Sequence, residues 1–99
     1  RSVQASRYFG ELKYGEKTGP GLFWFKDQEI YSGEYKNNQR DGIGAVEYAD
    51  GGFYAGSWMG GQKNGEGIYR GADGIIQSGH WSKGIFEGEE SQRVQNGAL

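Results

Sequence analysis

Large apolar residues alternate with small or polar ones along the chain with a period of two. In the segment YSGEY, which begins at Tyr31, the two tyrosines and the glycine share one face of an extended chain, and serine and glutamate share the other. The segment GIGAVEY, which ends at Tyr48, alternates in the same way. Glycine at this density excludes a stable helix. The pattern therefore predicts short strands with one apolar face.

The alternation belongs to a repeat of 23 residues, whose units begin at Tyr8, Tyr31, Tyr54 and, in partial form, Gln77. Glycine occupies the third position of every unit, at Gly10, Gly33, Gly56 and Gly79, and the twelfth, at Gly19, Gly42, Gly65 and Gly88. The fourteenth position is glycine at Gly21, Gly44 and Gly67, and glutamate at Glu90. The fifth is large and apolar, at Leu12, Tyr35, Trp58 and Trp81, and the twentieth is aspartate, at Asp27, Asp50 and Asp73. Such a fixed period indicates a repeat architecture.

Each full unit predicts two strands, joined by a polar loop that covers residues 36–41 in the second unit. A three-residue loop at Asp50–Gly52 then leads to the next unit, because Asp-Gly-Gly suits a hairpin turn with positive φ. The fold class is therefore all-β: an elongated single-layer antiparallel β-hairpin meander of about six to eight strands. The predicted organisation is a lead-in at 1–7, a repeat domain at 8–88 with units 8–30, 31–53, 54–76 and 77–88, and a cap or tail at 89–99.

The predicted loop also sets a register in which bulky residues face glycines. With Ala49 opposite Phe53, Tyr48 faces Tyr54, and the other facing pairs are Gly44–Trp58, Val46–Gly56, Gly21–Tyr35, Phe23–Gly33, Gly67–Trp81 and Tyr69–Gly79. Directly opposed side chains lie only about 5 Å apart at Cβ, so a ring lies flat over a neighbouring strand only where the facing residue is small. The glycines are expected to make room for the rings.

These columns resemble the MORN repeat (membrane occupation and recognition nexus), with Tyr-x-Gly-x-Trp, a polar loop ending in Gly-x-Gly, and an Asp-Gly turn. The resemblance runs from Tyr8 to about Glu89, and it departs from the pattern at Leu12, Gln28, Gln77 and Glu90. It implies an elongated, grooved sheet that serves as an interaction and scaffolding module. Related members associate with membranes, anchor cytoskeletal or motor proteins through a peptide, form dimers, or adjoin a catalytic domain. The repeat pattern carries no catalytic residues, so no enzymatic activity is expected.

Composition narrows the alternatives. Only 34% of the residues are apolar, but 15% are aromatic, so aromatic rings are expected to supply most of the buried area. The net charge of −2 disfavours nucleic acid as a partner. The absence of cysteine excludes disulfides and thiolate metal sites, and fits an intracellular protein. No apolar run reaches transmembrane length. The expected location is the cytoplasm, peripheral at a membrane or cytoskeletal structure.

No metal site or cofactor is predicted. His80 is the only histidine and falls at a position where other units carry polar residues, which indicates an exposed surface residue. The aspartate column offers one carboxylate per turn, whereas calcium needs several oxygen ligands, so a role in the turns is favoured. The glycine-rich segments lack the lysine and hydroxyl of a phosphate loop.

The favoured binding site is the aromatic face, where exposed rings would bind an extended or helical peptide of a protein partner. Its predicted residues are Tyr31, Tyr35, Tyr48, Tyr54, Trp58, Tyr69 and Trp81. The opposite face carries a smaller apolar patch suited to self-association, at Phe9, Leu22, Trp24, Ala45 and Ile68.

Two alternatives belong to other functional classes. The first is an anionic phospholipid adaptor that uses basic residues of the hairpin loops, namely Lys13, Lys17, Lys36, Arg40, Lys63 and Lys83. The second is an accessory module of a larger enzyme. Sugar-binding hairpin repeats are the main structural competitor, but they usually carry clusters of adjacent aromatic residues, and only LFWF comes near that here.

Overall fold

The computed structural model describes residues 6–25 and 27–88, which form a single antiparallel sheet of eight strands in chain order. The strands are β1 (Arg7–Lys13), β2 (Glu16–Trp24), β3 (Ile30–Lys36), β4 (Gln39–Glu47), β5 (Phe53–Met59), β6 (Gln62–Arg70), β7 (Ile76–Ser82) and β8 (Ile85–Phe86). The predicted single-layer hairpin meander is confirmed. Residues 1–5 of the predicted lead-in at 1–7, and the predicted cap or tail at 89–99, lie outside the described residues.

Each repeat closes its own hairpin with a turn of only two residues. In the second repeat these are Asn37 and Asn38, with φ of 51° and 71°. Positive φ at both positions defines a type I′ turn, whose twist matches that of the flanking strands. The predicted polar loop at 36–41 is therefore wrong, because β3 continues to Lys36 and β4 already begins at Gln39.

Successive repeats are joined by loops that depend on the aspartate column. The Tyr48 amide donates a hydrogen bond to the Gly52 carbonyl at 2.9 Å, so the three-residue loop is Ala49–Gly51, one residue earlier than predicted. The Asp50 carboxylate accepts a bond from the Gly52 amide at 2.8 Å. The other two aspartates make the same contact, from Asp27 to the Glu29 amide at 3.1 Å and from Asp73 to the Ile75 amide at 3.0 Å. The aspartates thus shape the turns, as predicted.

The one-residue shift changes the register of neighbouring repeats, and the predicted pairs of a large residue with a glycine are wrong. Gly44 faces Gly56 rather than Trp58, which faces Gly42. The other incorrect pairs are Tyr48–Tyr54, Val46–Gly56, Gly21–Tyr35, Phe23–Gly33, Gly67–Trp81 and Tyr69–Gly79. Glycine instead faces glycine across seven strands, in a glycine row at Gly10, Gly21, Gly33, Gly44, Gly56, Gly67 and Gly79.

The glycine row still makes room for rings, but for the leading tyrosine of each repeat. Tyr31 lies over Gly33 and Gly44, and a Cβ added to Gly44 would come within 2.6 Å of two ring atoms of Tyr31. The Tyr31 hydroxyl continues past the glycines and donates to the Glu34 carbonyl at 2.8 Å. Tyr8 and Tyr54 lie over their own glycine pairs in the same way.

The glycine at position twelve has a different role. Gly19, Gly42 and Gly65 have φ of 67°, 99° and 100°, and they lie where the pairing within each repeat shifts register. Only glycine adopts such backbone without cost, and a register shift of this kind bends the strand. In the second repeat the Glu34 carboxylate stabilises the irregularity by accepting a hydrogen bond from the Ile43 amide at 2.8 Å.

Candidate binding groove

The core of this single-layer sheet is a continuous set of rings on one face. The buried hydrophobic residues of the described chain are Tyr31, Tyr35, Val46, Tyr54, Trp58 and Trp81. The rings meet edge to face across repeats, with 5.6 Å between the centroids of Tyr31 and Trp58 and 5.4 Å between those of Tyr54 and Trp81. Such contacts add about 0.5–1.5 kcal/mol each beyond area burial. The face is therefore rigid, because each ring is held between two neighbours.

All seven residues predicted for the aromatic face lie on it, but they are not equally accessible. Tyr35, Trp58 and Trp81 are 6%, 6% and 4% exposed, and Tyr31 and Tyr54 are fully covered. Only Tyr48 and Tyr69 are half-buried. Their rings lie 6.1 Å apart and form an accessible part of the predicted site.

A row of three cations, which were predicted to lie in the hairpin loops, lies directly over the rings. The guanidinium of Arg40 is 4.6 Å from the ring centroid of Tyr31 and 5.2 Å from that of Trp58. Lys17 and Lys63 occupy the corresponding positions of the first and third repeats. The spacing of 23 residues between these three cations is visible in the sequence. It indicates a row on the aromatic face only if the hairpin turn has two residues, because the cations then lie within strands. The fourth unit has Phe86 at this position, 5.1 Å from Trp81.

The members of the cation row differ in their polar partners. The Lys17 ammonium donates to the Asn38 side-chain oxygen at 2.9 Å, and Arg40 pairs with Glu29 at 3.1 Å. Within residues 6–25 and 27–88, no carboxylate or hydrogen-bond acceptor pairs with the Lys63 ammonium. Burial lowers the pKa of Lys63 from its usual value. The nearby Tyr69 opposes this effect, the charge of Arg40 adds to it, and the Glu29 carboxylate opposes it again.

The six predicted lipid-contact residues are therefore divided between two surfaces. Lys13, Lys36 and Lys83 are exposed and lie at the hairpin-turn edge of the sheet. The other three form the cation row and cover rings.

Two open pockets lie along the aromatic face. One, of about 340 Å³, is lined by Tyr48, Asp50, Lys63, Tyr69, Gln77 and Trp81. Another, of about 320 Å³, includes Lys17 and Arg40 among its lining residues. The two pockets place cations beside partly exposed rings, which suits ligands that combine apolar and anionic groups.

The opposite face carries the predicted apolar patch. The strand register aligns Phe9 with Leu22 and Ala45 with Ala55, which in turn faces Ile68. Phe9 and Ile68 are 54% and 49% exposed. Self-association through this patch stays a prediction.

His80 lies on that opposite face, as expected for an exposed residue. Its Nδ1 is 3.3 Å from a carboxylate oxygen of Glu66, and its Nε2 is 3.9 Å from one of Glu87. No cluster of three histidine, aspartate or glutamate side chains with metal-binding geometry occurs in the described part of the chain.

Burial of tyrosines predicts a loss of stability at alkaline pH. Desolvation raises the pKa of Tyr35, Tyr48 and Tyr54 to about 12 each, with nearby Glu29 adding to the effect at Tyr48. The tyrosine side chain of an unfolded chain has a pKa of about 10. The stabilisation is thus complete below about pH 10 and is lost as the pH rises towards about 12. Denaturant titrations across this interval should show a falling free energy of unfolding, and Tyr48→Phe should make the fall shallower. A free energy independent of pH in this range would contradict the burial.

Together, the glycine row, the edge-to-face rings and the repeated hairpins define an open β-hairpin repeat protein with a continuous aromatic surface on one face. Comparison with family models agrees: the MORN repeat matches residues 8–29, 31–53 and 54–76. The chain belongs to the MORN repeat family, a non-catalytic repeat common in modules for protein or membrane interactions. No curated protein matches the chain. Among the described residues no helix has the length and apolarity to cross a membrane.

Proposed function

We propose that the protein is a non-enzymatic interaction module that binds a peptide segment of a protein partner, extended or helical, along the aromatic face. The observation that supports this most strongly is the row of cations over the packed rings of the aromatic face. The half-buried Tyr48 and Tyr69 remain accessible beside these cations. Tyrosine, tryptophan and arginine are the residues that most often dominate binding energy at protein interfaces.

The rigidity of the aromatic face favours binding of a partner. The indole N–H of Trp58 donates to the Gly44 carbonyl at 3.0 Å, and that of Trp81 donates to the Gly67 carbonyl at 3.1 Å. Side chains already fixed in the free protein lose little entropy when a partner binds, and each flexible side chain would otherwise cost about 0.5–1.5 kcal/mol. The aromatic face is therefore preorganised for a ligand.

Peptide selection with matched variants tests this proposal. Peptides selected against the folded protein from a displayed random library should lose about tenfold in affinity with Tyr69→Ser, which removes an accessible ring of the aromatic face. The neighbouring change Ile68→Ser lies on the opposite face, where Ile68 is 49% exposed, and should leave affinity within about twofold. Titration calorimetry measures both.

The proposal fails if no peptide is enriched over an empty support. It also fails if enriched peptides tolerate Tyr69→Ser but lose affinity with Ile68→Ser, because the opposite face would then be the binding surface.

The anionic-lipid alternative rests on fewer residues than the sequence suggested. Three exposed lysines at the hairpin-turn edge, Lys13, Lys36 and Lys83, would contribute about 1 kcal/mol each near a charged membrane. A total of about 3 kcal/mol corresponds to affinity weaker than about 1 mM, so this edge would need a second membrane signal. A role beside a catalytic domain of a larger chain is compatible with either kind of binding.

A further inference from the structure

We infer that Lys63 marks a site for a carboxylate, supplied by an aspartate or glutamate side chain of the bound peptide. The inference rests on the proposed function and specifies the chemistry of the partner. Lys63 Nζ lies 5.4 Å from the ring centroids of Tyr48 and Tyr54, 5.8 Å from that of Tyr69 and 5.6 Å from that of Trp81. An ammonium held among four rings is partly stripped of water.

The other two cations of the row each have a side-chain oxygen as a partner, and Lys63 has none within the part of the chain that the structure describes. Lys17 has the side-chain oxygen of Asn38, and Arg40 has the carboxylate of Glu29. Lys63 has the same position over the rings but no such acceptor in the described residues, and its partly exposed side chain lines the pocket of about 340 Å³. A carboxylate from outside would complete at Lys63 the arrangement that Glu29 completes at Arg40.

The pocket suits an acidic side chain with an adjoining apolar group. Charge-assisted hydrogen bonds to an ammonium are about twice as strong as neutral ones, and they gain further where the local dielectric constant is low. Tyr48 and Tyr69 offer ring surface for the apolar part of the ligand, and Gln77 offers an amide at the rim.

Asp50 lies in the same pocket and favours a single negative charge over a double one. One of its carboxylate oxygens already accepts the Gly52 amide, but the negative charge remains and opposes an incoming anion. A carboxylate suffers less from this repulsion than a phosphate dianion does. Asparagine at this position keeps the oxygen that the turn needs and removes the charge, so Asp50→Asn separates the electrostatic effect from the structural one.

A pair of small probes tests the site without reference to any partner. The probes are 3-phenylpropionate and its neutral analogue 3-phenylpropanamide, titrated while the indole N–H resonance of Trp81 is followed by NMR. The acid should bind about tenfold more tightly than the amide. Lys63→Gln should abolish that preference, and Asp50→Asn should increase it about threefold. Lys83→Gln is the control, because it removes the same charge from the exposed hairpin-turn edge and should leave the preference unchanged.

Equal affinity for the two probes, no shift of the resonance with either probe, or a preference that survives Lys63→Gln would each overturn the carboxylate site. Asp50→Asn provides a second test if Lys63→Gln unfolds the chain: an acid preference that does not rise in Asp50→Asn is also contrary to the inference.

The peptide selection distinguishes failure of this inference from failure of the proposed function. Selected peptides that depend on Tyr69 but show no excess of aspartate or glutamate would overturn the carboxylate site and leave the interaction module standing. A clear acid preference with the small probes, combined with no enriched peptide, would overturn the proposed function and leave the site.

Discussion

Replacing Gly44 with valine is expected to lower the free energy of unfolding by about 3 kcal/mol or more, which is large for a surface sheet. A Cβ at this position would come within 2.6 Å of ring atoms of Tyr31. The backbone cannot withdraw, because Gly33 and Gly56 pair with Gly44 from the two sides. The Tyr31 ring, which is fully buried, would have to leave its place. Chemical denaturation followed by circular dichroism measures the loss.

The matched control is Gly61→Asn. Gly61 has φ of 89° and open space around its missing side chain. Asn38 holds the equivalent turn position one repeat earlier, with φ of 71°, so asparagine suits the site. The change should stay within about 0.5 kcal/mol. If both substitutions cost the same, the glycine row does not serve to make room for the tyrosines.

Truncating Trp58 to alanine is expected to cost about 3–5 kcal/mol, the usual range for a buried aromatic residue. Trp58 is 6% exposed and packs against Tyr31 and Tyr54, with Arg40 above it. The neighbouring Met59 is 61% exposed, and Met59→Ala should change stability by less than about 0.5 kcal/mol. Thermal and denaturant unfolding of the two variants give the comparison.

Phenylalanine at the same position separates the ring from its hydrogen bond. Trp58→Phe keeps an aromatic ring but loses the N–H that donates to the Gly44 carbonyl at 3.0 Å. An intermediate loss of about 1–2 kcal/mol is expected, since the carbonyl is left without this donor. A cost equal to that of Met59→Ala would show that the Trp58 ring does not support the sheet.

The fold followed from the sequence because independent signals agreed. Period-two alternation, a spacing of 23 residues and recurrent glycines all indicate repeated hairpins. The register did not follow, because Ala49, Asp50, Gly51 and Gly52 allow the turn at either of two adjacent places. The structure closes it at Ala49–Gly51, where Gly51 takes the positive φ. One residue of difference in the turn replaced the predicted pairs: Gly44 pairs with Gly56, and Trp58 faces Gly42, the glycine at position twelve. Tyr35 and Trp81 face the corresponding glycines of their neighbouring repeats.

The candidate binding site was predicted from the sequence only in part. Alternation placed all seven rings on one face, but accessibility depends on contacts between repeats that periodicity does not reveal. The cation row was missed because a longer loop was assumed. With the turn at Asn37 and Asn38, Arg40 lies within β4 opposite Tyr35 and its side chain extends over the rings. Turn length therefore decided whether these cations were loop residues or part of the aromatic face.

A double-mutant cycle between Gly44 and Tyr31 measures the interaction free energy of the two positions, and so tests whether the glycine is needed to make room for the tyrosine ring. Gly44→Ala should cost about 2 kcal/mol in the native chain, because its methyl group meets the Tyr31 ring. In a Tyr31→Leu background, where no ring reaches the glycines, the same change should cost about 0.5 kcal/mol or less. An equal cost of Gly44→Ala in both backgrounds would contradict the interlock of tyrosine and glycine on which the aromatic face is built.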